Sequence, residues 1–340
     1  MDALSEVLQA IRLDGALYLD AEFTAPWCVE AKFGLHTAAS HLPRSEQIAF
    51  FHVLTDGVCR ARLADASDVV ELKPGDILMF PHDHLHLMGS DVSIPPAERS
   101  EVADKRGGGM FRIQYGGGGA MTRFVCGYLA CDPRVCRPLF SSLPRMLRVS
   151  IGEDAAWLLQ MLRVGVQESL AQGPGARSLL AKLAELMFVE AIRRFAASQP
   201  ADQRGWLAGL RDRHVGRALA LLHGNPAHAW TVDSLAREVA MSRSAFAERF
   251  VELIGEPPMQ YLTRWRLALA AQRLRTGNDT VARIAERAGY ESEAAFNRAF
   301  KREFGMPPSA WRKSVREQDV ATPQTASEAP AVSASEAPAA

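Results

Sequence analysis

The sequence predicts a multidomain α and β protein. An N-terminal β-sandwich or barrel with a helical hairpin precedes an all-α domain built on a tandem helix–turn–helix. Three observations carry this. Residues 17–130 hold apolar runs of 4–7 residues separated by turn signals, the mark of short antiparallel strands. Near residue 150 the apolar period changes to that of a helix. The last third then repeats itself at a step of 49 to 50 residues.

Length and composition bound the rest. At roughly 150 residues per domain, 340 residues make about two domains. With 48% apolar and 23% charged residues, a disordered chain is excluded. No apolar run approaches the ~18 residues that cross a bilayer, so no membrane partner is expected. Met1-Asp2-Ala3-Leu4-Ser5-Glu6 does not read as a signal peptide. Five cysteines make no disulfide framework, so a reducing cytoplasm is the default. The net charge of zero hides an asymmetry. Arg211 to Arg316 holds 18 Lys+Arg against 11 Asp+Glu, and the remainder 21 against 28. A basic C-terminal third suits a polyanion.

In the first domain (1–148), Ile48 to Leu54, Val69 to Leu72 and Ile77 to Phe80 read as strands. Thr55-Asp56-Gly57 and Lys73-Pro74-Gly75-Asp76 read as the turns between them. Ser90 to Ala120, with Pro95-Pro96, Gly107 to Gly109 and Gly116 to Gly119, is expected to be a long flexible loop. Strand character returns from Thr122 to Leu129. In the next segment (149–200), Trp157, Leu158, Met161, Leu162 and Val166 keep helical spacing. So do Leu179, Leu180, Leu183, Leu186, Met187, Val189 and Ile192, after the break at Gly173-Pro174-Gly175. This hairpin is expected to pack on the sheet or to pair two copies as a homodimer. Residues 208–316 read as short-linked helices, and 317–340 as a disordered tail of Ala, Pro, Ser, Glu and Thr.

The repeat gives two helix–turn–helix units, 231–255 and 280–305. Thr231 and Thr280 are placed to cap a first helix, and Ser242 and Ser292 a second. Phe246/Phe250 and Phe296/Phe300, at i and i+4, anchor the second helix inward. Gly255 and Gly305 stop it, and the proline pairs after them prevent its continuation. The second turn holds one extra residue. A long helix from Pro258 to about Leu274 must join the units.

In such a unit the second helix enters the major groove. With the phenylalanines inward, Arg243, Ser244, Ala247 and Glu248 face outward in the first unit, and Glu293, Ala294, Asn297 and Arg298 in the second. Arg reads guanine, Asn adenine and Glu cytosine. Arg264, Lys301 and Arg302 are the candidate phosphate contacts.

Ala236, Ser242, Phe246, Arg249, Phe250, Gly255, Pro257, Tyr261, Arg266, Ala271, Leu274, Ile284, Ala285, Gly289-Tyr290, Ser292, Phe296, Phe300, Phe304, Gly305, Pro307 and Trp311 carry a resemblance. The stretch from Arg211 to Arg316 is similar to the DNA-binding domain of the AraC/XylS family of bacterial transcription regulators. The resemblance implies sequence-specific binding of double-stranded promoter DNA, and RNA polymerase as a further partner were the chain an activator. Lys73-Pro74-Gly75-Asp76-x4-Pro81-x4-His86, with Phe51-His52-Val53-Leu54 before it, resembles a cupin barrel. More narrowly it is similar to the cupin-type sensor of one branch of that family, as are Gly127-Tyr128-Leu129 and Arg137-Pro138-Leu139. A small effector, a metal or a redox signal is the input this implies.

Two constellations stand out in this half. His82, His84 and His86 alternate, so a strand would put them on one face, with His52 beside them as a divalent-metal nest. The His-x-His and later Glu of metal-binding cupins are absent around His36, His41 and His52. Hydrogen-bonded core histidines are the alternative. Cys126, Cys131 and Cys136 lie near Arg123, Arg134 and Arg137, which favours an oxidisable thiol. Zinc, or burial as small hydrophobes, are the other readings. A second reading of the whole chain is a metal-dependent cupin oxygenase or isomerase with a helical appendage. The duplicated unit speaks for a non-enzyme.

Overall fold

The computed structural model describes residues 3–11, 13–32, 47–97, 103–107, 110–171, 173–200 and 204–321. In chain order the elements are α1 (Ala3–Ala10), β1 (Asp14–Thr24), β2 (Cys28–Ala31), β3 (Gln47–Asp56), β4 (Cys59–Leu63), β5 (Val70–Leu72), β6 (Asp76–Phe80), β7 (His86–Gly89), β8 (Ala103–Gly107), β9 (Met110–Gly116) and β10 (Met121–Cys131). There follow α2 (Pro133–Phe140), β11 (Leu147–Ser150), α3 (Ala156–Leu170), α4 (Ala176–Ser198), α5 (Trp206–Arg211), α6 (Arg213–Gly224), α7 (Val232–Glu238), α8 (Arg243–Ile254), α9 (Pro258–Thr276), α10 (Val281–Arg287), α11 (Glu293–Phe304) and α12 (Pro308–Ala321). The chain divides into two compact units. One is formed by Leu13–Ala130 with Leu143–Ala197, and the other by the N-terminal helix, Cys131–Ser142 and the chain from Ser198.

The first unit is rich in strands. Seven strands run in the order β11-β6-β3-β10-β1-β9-β8, and four in the order β2-β7-β4-β5. β1 pairs antiparallel with β10, Leu17 opposite Gly127, and parallel with β9, Ala21 opposite Ile113. Phe50, Phe80 and Phe124 of the larger sheet share one apolar core with Ala61, Leu72 and Met88 of the smaller. This is the cupin-like sheet class the sequence predicts. Gly127 is required here, because a Cβ on it would sit 2.3 Å from the Phe51 ring. The Lys73 to Asp76 turn closes with the Lys73 N–H donating to the Asp76 carboxylate at 2.9 Å.

The expectation of a loop across Ser90 to Ala120 is corrected. β8 and β9 lie within it, and β9 pairs along β1. Ile113 and Tyr115 lean on the core while Arg112 and Gln114, which alternate with them, reach Asp20 at 3.3 Å and Glu22 at 3.4 Å. That alternation is a strand pattern, and the flanking glycine runs mask it. In the hairpin α3/α4, Leu158, Leu162, Leu183 and Met187 are buried. Trp157, Met161 and Val164, on one stripe of α3, are exposed, as is Leu186 on α4.

The second unit is helical. Asp212 caps α6, accepting from the His214 and Val215 N–H groups at 3.0 and 2.9 Å, and pairs with Arg249 of α8 at 3.0 Å. α2 belongs to this unit. Its capping residue Asp132 pairs with Arg275 of α9 at 3.3 Å, and Arg134 lies over the Trp311 ring at 4.8 Å. α12 runs on to Ala321, into the stretch expected to be tail, and 322–340 lies outside the described residues. No described helix is long and apolar enough to cross a membrane.

Candidate nucleic-acid interface

The two helix–turn–helix units are built by the same local chemistry. Thr231 caps α7 by accepting from the Ser234 N–H at 3.0 Å, and Thr280 caps α10 through the Arg283 N–H at 3.3 Å. The turns close alike. Ala240 and Met241 donate to Arg237 and Ala236 at 3.1 and 2.9 Å, and Gly289 and Tyr290 donate to Glu286 and Ala285 at 2.9 and 3.0 Å. Ala240 and Gly289 both hold positive φ, +54° and +76°. The extra residue of the second turn is Glu291, which is exposed. Ser242 and Ser292 then cap α8 and α11 through the Ala245 and Ala295 N–H groups. Gly255 and Gly305 end those helices at φ +84° and +77°, the left-handed stop that glycine makes easily.

Phe246, Phe250, Phe296 and Phe300 are each 0% exposed. Their burial fixes the rotation of α8 and α11, and so decides what faces out. Arg243, Ser244 and Glu248 are exposed and Ala247 is half-buried. On α11, Glu293, Ala294, Arg298, Lys301 and Arg302 are exposed and Asn297 is half-buried. Among the described residues Arg298 and Lys301 have no ion-pair partner. Arg243 reaches Asp233 at 3.4 Å, but both side chains are more than half exposed, so the pair holds it weakly. Arg264 differs. Its guanidinium is bound to Glu256 and turns toward a cleft beside α9, so a carboxylate already occupies the group expected to meet phosphate.

Sequence reasoning missed one positioning residue. Arg266 on α9 donates to the Pro226 and His228 carbonyls at 2.6 and 2.7 Å, clamping the loop before Thr231. Nothing local in the sequence marks that role, because the partners lie about 40 residues away.

In the sheet unit the histidines divide. His52 and His86 are buried, with Nε2 to Nε2 at 2.8 Å, and His52 Nδ1 lies 2.9 Å from Cys126 Sγ. His86 Nδ1 donates to the His84 carbonyl at 2.9 Å. That last bond sets the rest by donor and acceptor count. His86 Nε2 accepts from His52 Nε2–H, and His52 Nδ1 accepts from the Cys126 thiol. Burial holds both imidazoles neutral, His52 well below its ordinary pKa and His86 at about 3. Burial, with Asp20 nearby, pushes the Cys126 thiol up.

His82 and His84 are not part of this relay. β7 begins only at His86, and Asp83 turns the chain at φ +50°, so the three histidines do not share a strand face. His82 is exposed and meets His84, ring centroids 5.9 Å apart. The residues present do not fit the divalent metal expected of a four-histidine nest. Both nitrogens of His52 are engaged in opposite directions, and no described group of three His, Cys, Asp or Glu side chains is arranged to hold an ion. His36 and His41 lie outside the described residues. All five cysteines are buried, and none is in a disulfide. Cys126 and Cys131 are five residues apart on β10 and leave opposite faces of the strand, and Cys136 lies on α2.

Comparison with known proteins adds two family matches, two relatives and a solved structure. Residues 2–197 match the Cupin family, and residues 235–314 match the Helix-turn-helix domain family. A putative AraC-like transcription regulator of Streptomyces lividans is 32% identical over 314 residues, covering 92% of this chain and 98% of the relative. The transcriptional regulator AlkR of Acinetobacter baylyi is 29% identical over 320 residues, 92% of this chain and 99% of the relative. Among solved structures, the DNA-binding domain of AdpA in complex with a target DNA is 30% identical, with a TM-score of 0.31, covering 32% of this chain and 98% of that one.

Proposed function

The chain belongs to the AraC-like family of DNA-binding transcription regulators, with a cupin N-terminal domain, and from that premise we propose how it works. α8 and α11 enter successive major-groove turns of promoter DNA. Arg243 and Glu248 on one, and Glu293, Asn297 and Arg298 on the other, read base edges, while Lys301 meets phosphate. The observation that carries this is the matched pair of capped helices, each pinned by two fully buried phenylalanines and presenting an open polar face. The reading as a cupin enzyme is set aside, since the relatives are transcription regulators.

Two copies associate through the hairpin. Trp157, Met161 and Val164 are 55%, 42% and 43% exposed along one stripe of α3, and an apolar stripe of this kind suits a partner. A small effector acting on the N-terminal half then tunes DNA affinity, and RNA polymerase is the further partner if the protein activates. The setting is the cytoplasm.

Selection of duplexes from a random pool by the full chain tests the reading. It should enrich a site of two segments whose centres lie about one helical turn, ~34 Å, apart. A pool that stays random, with binding that depends only on salt, contradicts it.

A further inference from the structure

In the chain, the two helix–turn–helix units are linked through α9. A helix of 19 residues fixes their order, yet any bend in it changes the angle between α8 and α11. A second connection runs beside it. α2 lies within the stretch that matches the Cupin family and outside residues 235–314, yet it packs in the helical unit against α9 and α5. Each of its ends leads to a different recognition helix.

The N-terminal end leads to α11. Asp132 accepts from Arg134 Nε and Nη2, both at 2.7 Å, and from Arg275 near the end of α9 at 3.3 Å. The two-pronged pair holds the Arg134 guanidinium in one plane, 4.8 Å over the Trp311 ring, where ring and cation attract. Trp311 in turn meets Phe300 edge-on, ring centroids 5.9 Å apart. Phe300 is one of the two phenylalanines that set the rotation of α11. The C-terminal end leads to α8. Ser142 Oγ accepts from the Trp206 N–H at 2.9 Å, and the adjacent Gly205 N–H donates to the Leu253 carbonyl in the last turn of α8 at 2.8 Å. Between the two ends Val135, Cys136, Leu139 and Phe140 are buried, so α2 cannot slide without unpacking.

We propose that α2 is a strut that fixes the separation and angle of α8 and α11, and that Arg134 and Ser142, at its two ends, are positioning residues for DNA reading. The proposal rests on the reading of α8 and α11 as the DNA-contacting helices.

Two measurements on the full chain test it. Asp132 and Arg275 are each 10% exposed, and a lone charge left there would be costly. The substitutions are therefore Arg134→Gln and Ser142→Ala, combined, which leave that pair intact. The first measurement needs no DNA. Spin labels at Val251→Cys on α8 and Arg302→Cys on α11, both exposed positions, report the distance between the helices by pulsed electron resonance, with unlabelled chain in excess. The distribution of distances should be narrow in the parent and at least ~2-fold broader in the double variant. The second measurement uses the selected site with one base pair added or removed between its segments, which turns one segment by about 35°. The wild-type chain should lose at least ~10-fold in affinity for each shifted duplex, and the double variant less than ~3-fold. Affinity for a duplex carrying a single segment should be the same in both chains. Arg134→Lys, which keeps a cation over Trp311, should restore most of the spacing preference. A double variant with the parent's distance distribution overturns the proposal, and so does one with the wild-type spacing preference. An equal loss on single-segment duplexes would mean that α2 only stabilises the fold, and overturns it too. If the wild-type chain selects no two-segment site, the DNA reading fails, while the distance measurement still decides the strut.

Discussion

Ala240 and Gly289 occupy the same place in the two helix–turn–helix turns, yet only one is glycine. Both backbones are left-handed, at φ +54° and +76°, and the same pair of backbone hydrogen bonds closes each turn. An L-residue in that conformation costs roughly 1–2 kcal/mol, which glycine avoids. Ala240→Gly removes that strain but gives the unfolded chain more freedom, about 0.4–1 kcal/mol in the other direction. The balance stabilises the first unit by about 0.5–1 kcal/mol. The reciprocal change is worse than strain alone. A Cβ on Gly289 would sit 2.7 Å from the Ala227 carbonyl oxygen and 3.0 Å from Arg266 Nη2. It would push on the loop that Arg266 clamps, so Gly289→Ala should destabilise the second unit by more than ~2 kcal/mol. Native-state hydrogen exchange at the slow amides of α8 and α11 reads each local free energy in the full chain. Added protection in α8 for Ala240→Gly, and lost protection in α11 for Gly289→Ala, are the expected results. A destabilising Ala240→Gly would refute the claim that the two turns share one strained geometry.

Three further outcomes follow from the same structure. Arg298→Ala should cost ~1–3 kcal/mol and relax preference at one base position. Lys301→Ala should weaken all duplexes alike and reduce the salt slope by about 1, and anisotropy titrations at several salt concentrations separate the two. His223 is buried among Trp206, Tyr261 and Trp265, and burial lowers its pKa to about 3. It is therefore neutral in the fold and protonates more readily when unfolded. Its stabilisation is complete above pH 6.5 and is lost as pH falls from there toward 3, by about 2 kcal/mol at pH 5. Urea titrations of wild type and His223→Gln across pH 5–7.5 should show the fall reduced by that amount in the variant, since His52 and His86 contribute alike to both chains. With all five thiols buried, and Cys59 pushed up to about 12 by burial, labelling by a thiol-specific disulfide should be slow in the native chain. It should be complete in urea, and a fast native phase would reopen the cysteine switch.

The C-terminal unit was legible because its devices are local. A threonine or serine before a helix, a phenylalanine pair at i and i+4 and a glycine after the last turn each act within a few residues, and the repeat supplied every one twice. The sheet unit was legible in class but not in detail. β9 carries a clear alternation around Arg112, yet the glycines on either side outweigh it by eye. The histidines misled because their register depends on a turn at Asp83, and on Cys126 arriving from 74 residues away to meet His52. That α2 joins the helical unit through Asp132 and Arg275 is also long-range.

The central claim is that two recognition helices act together on one duplex. Inserting 5 base pairs between the two segments of the selected site turns one half away by about half a helical turn. Anisotropy titration of the full chain should show affinity falling at least ~10-fold, with recovery when a whole turn of about 10 base pairs is inserted only if the paired copy can bridge it. Affinity unchanged by the 5-base-pair insertion would mean that one helix alone reads the site, and would contradict the account.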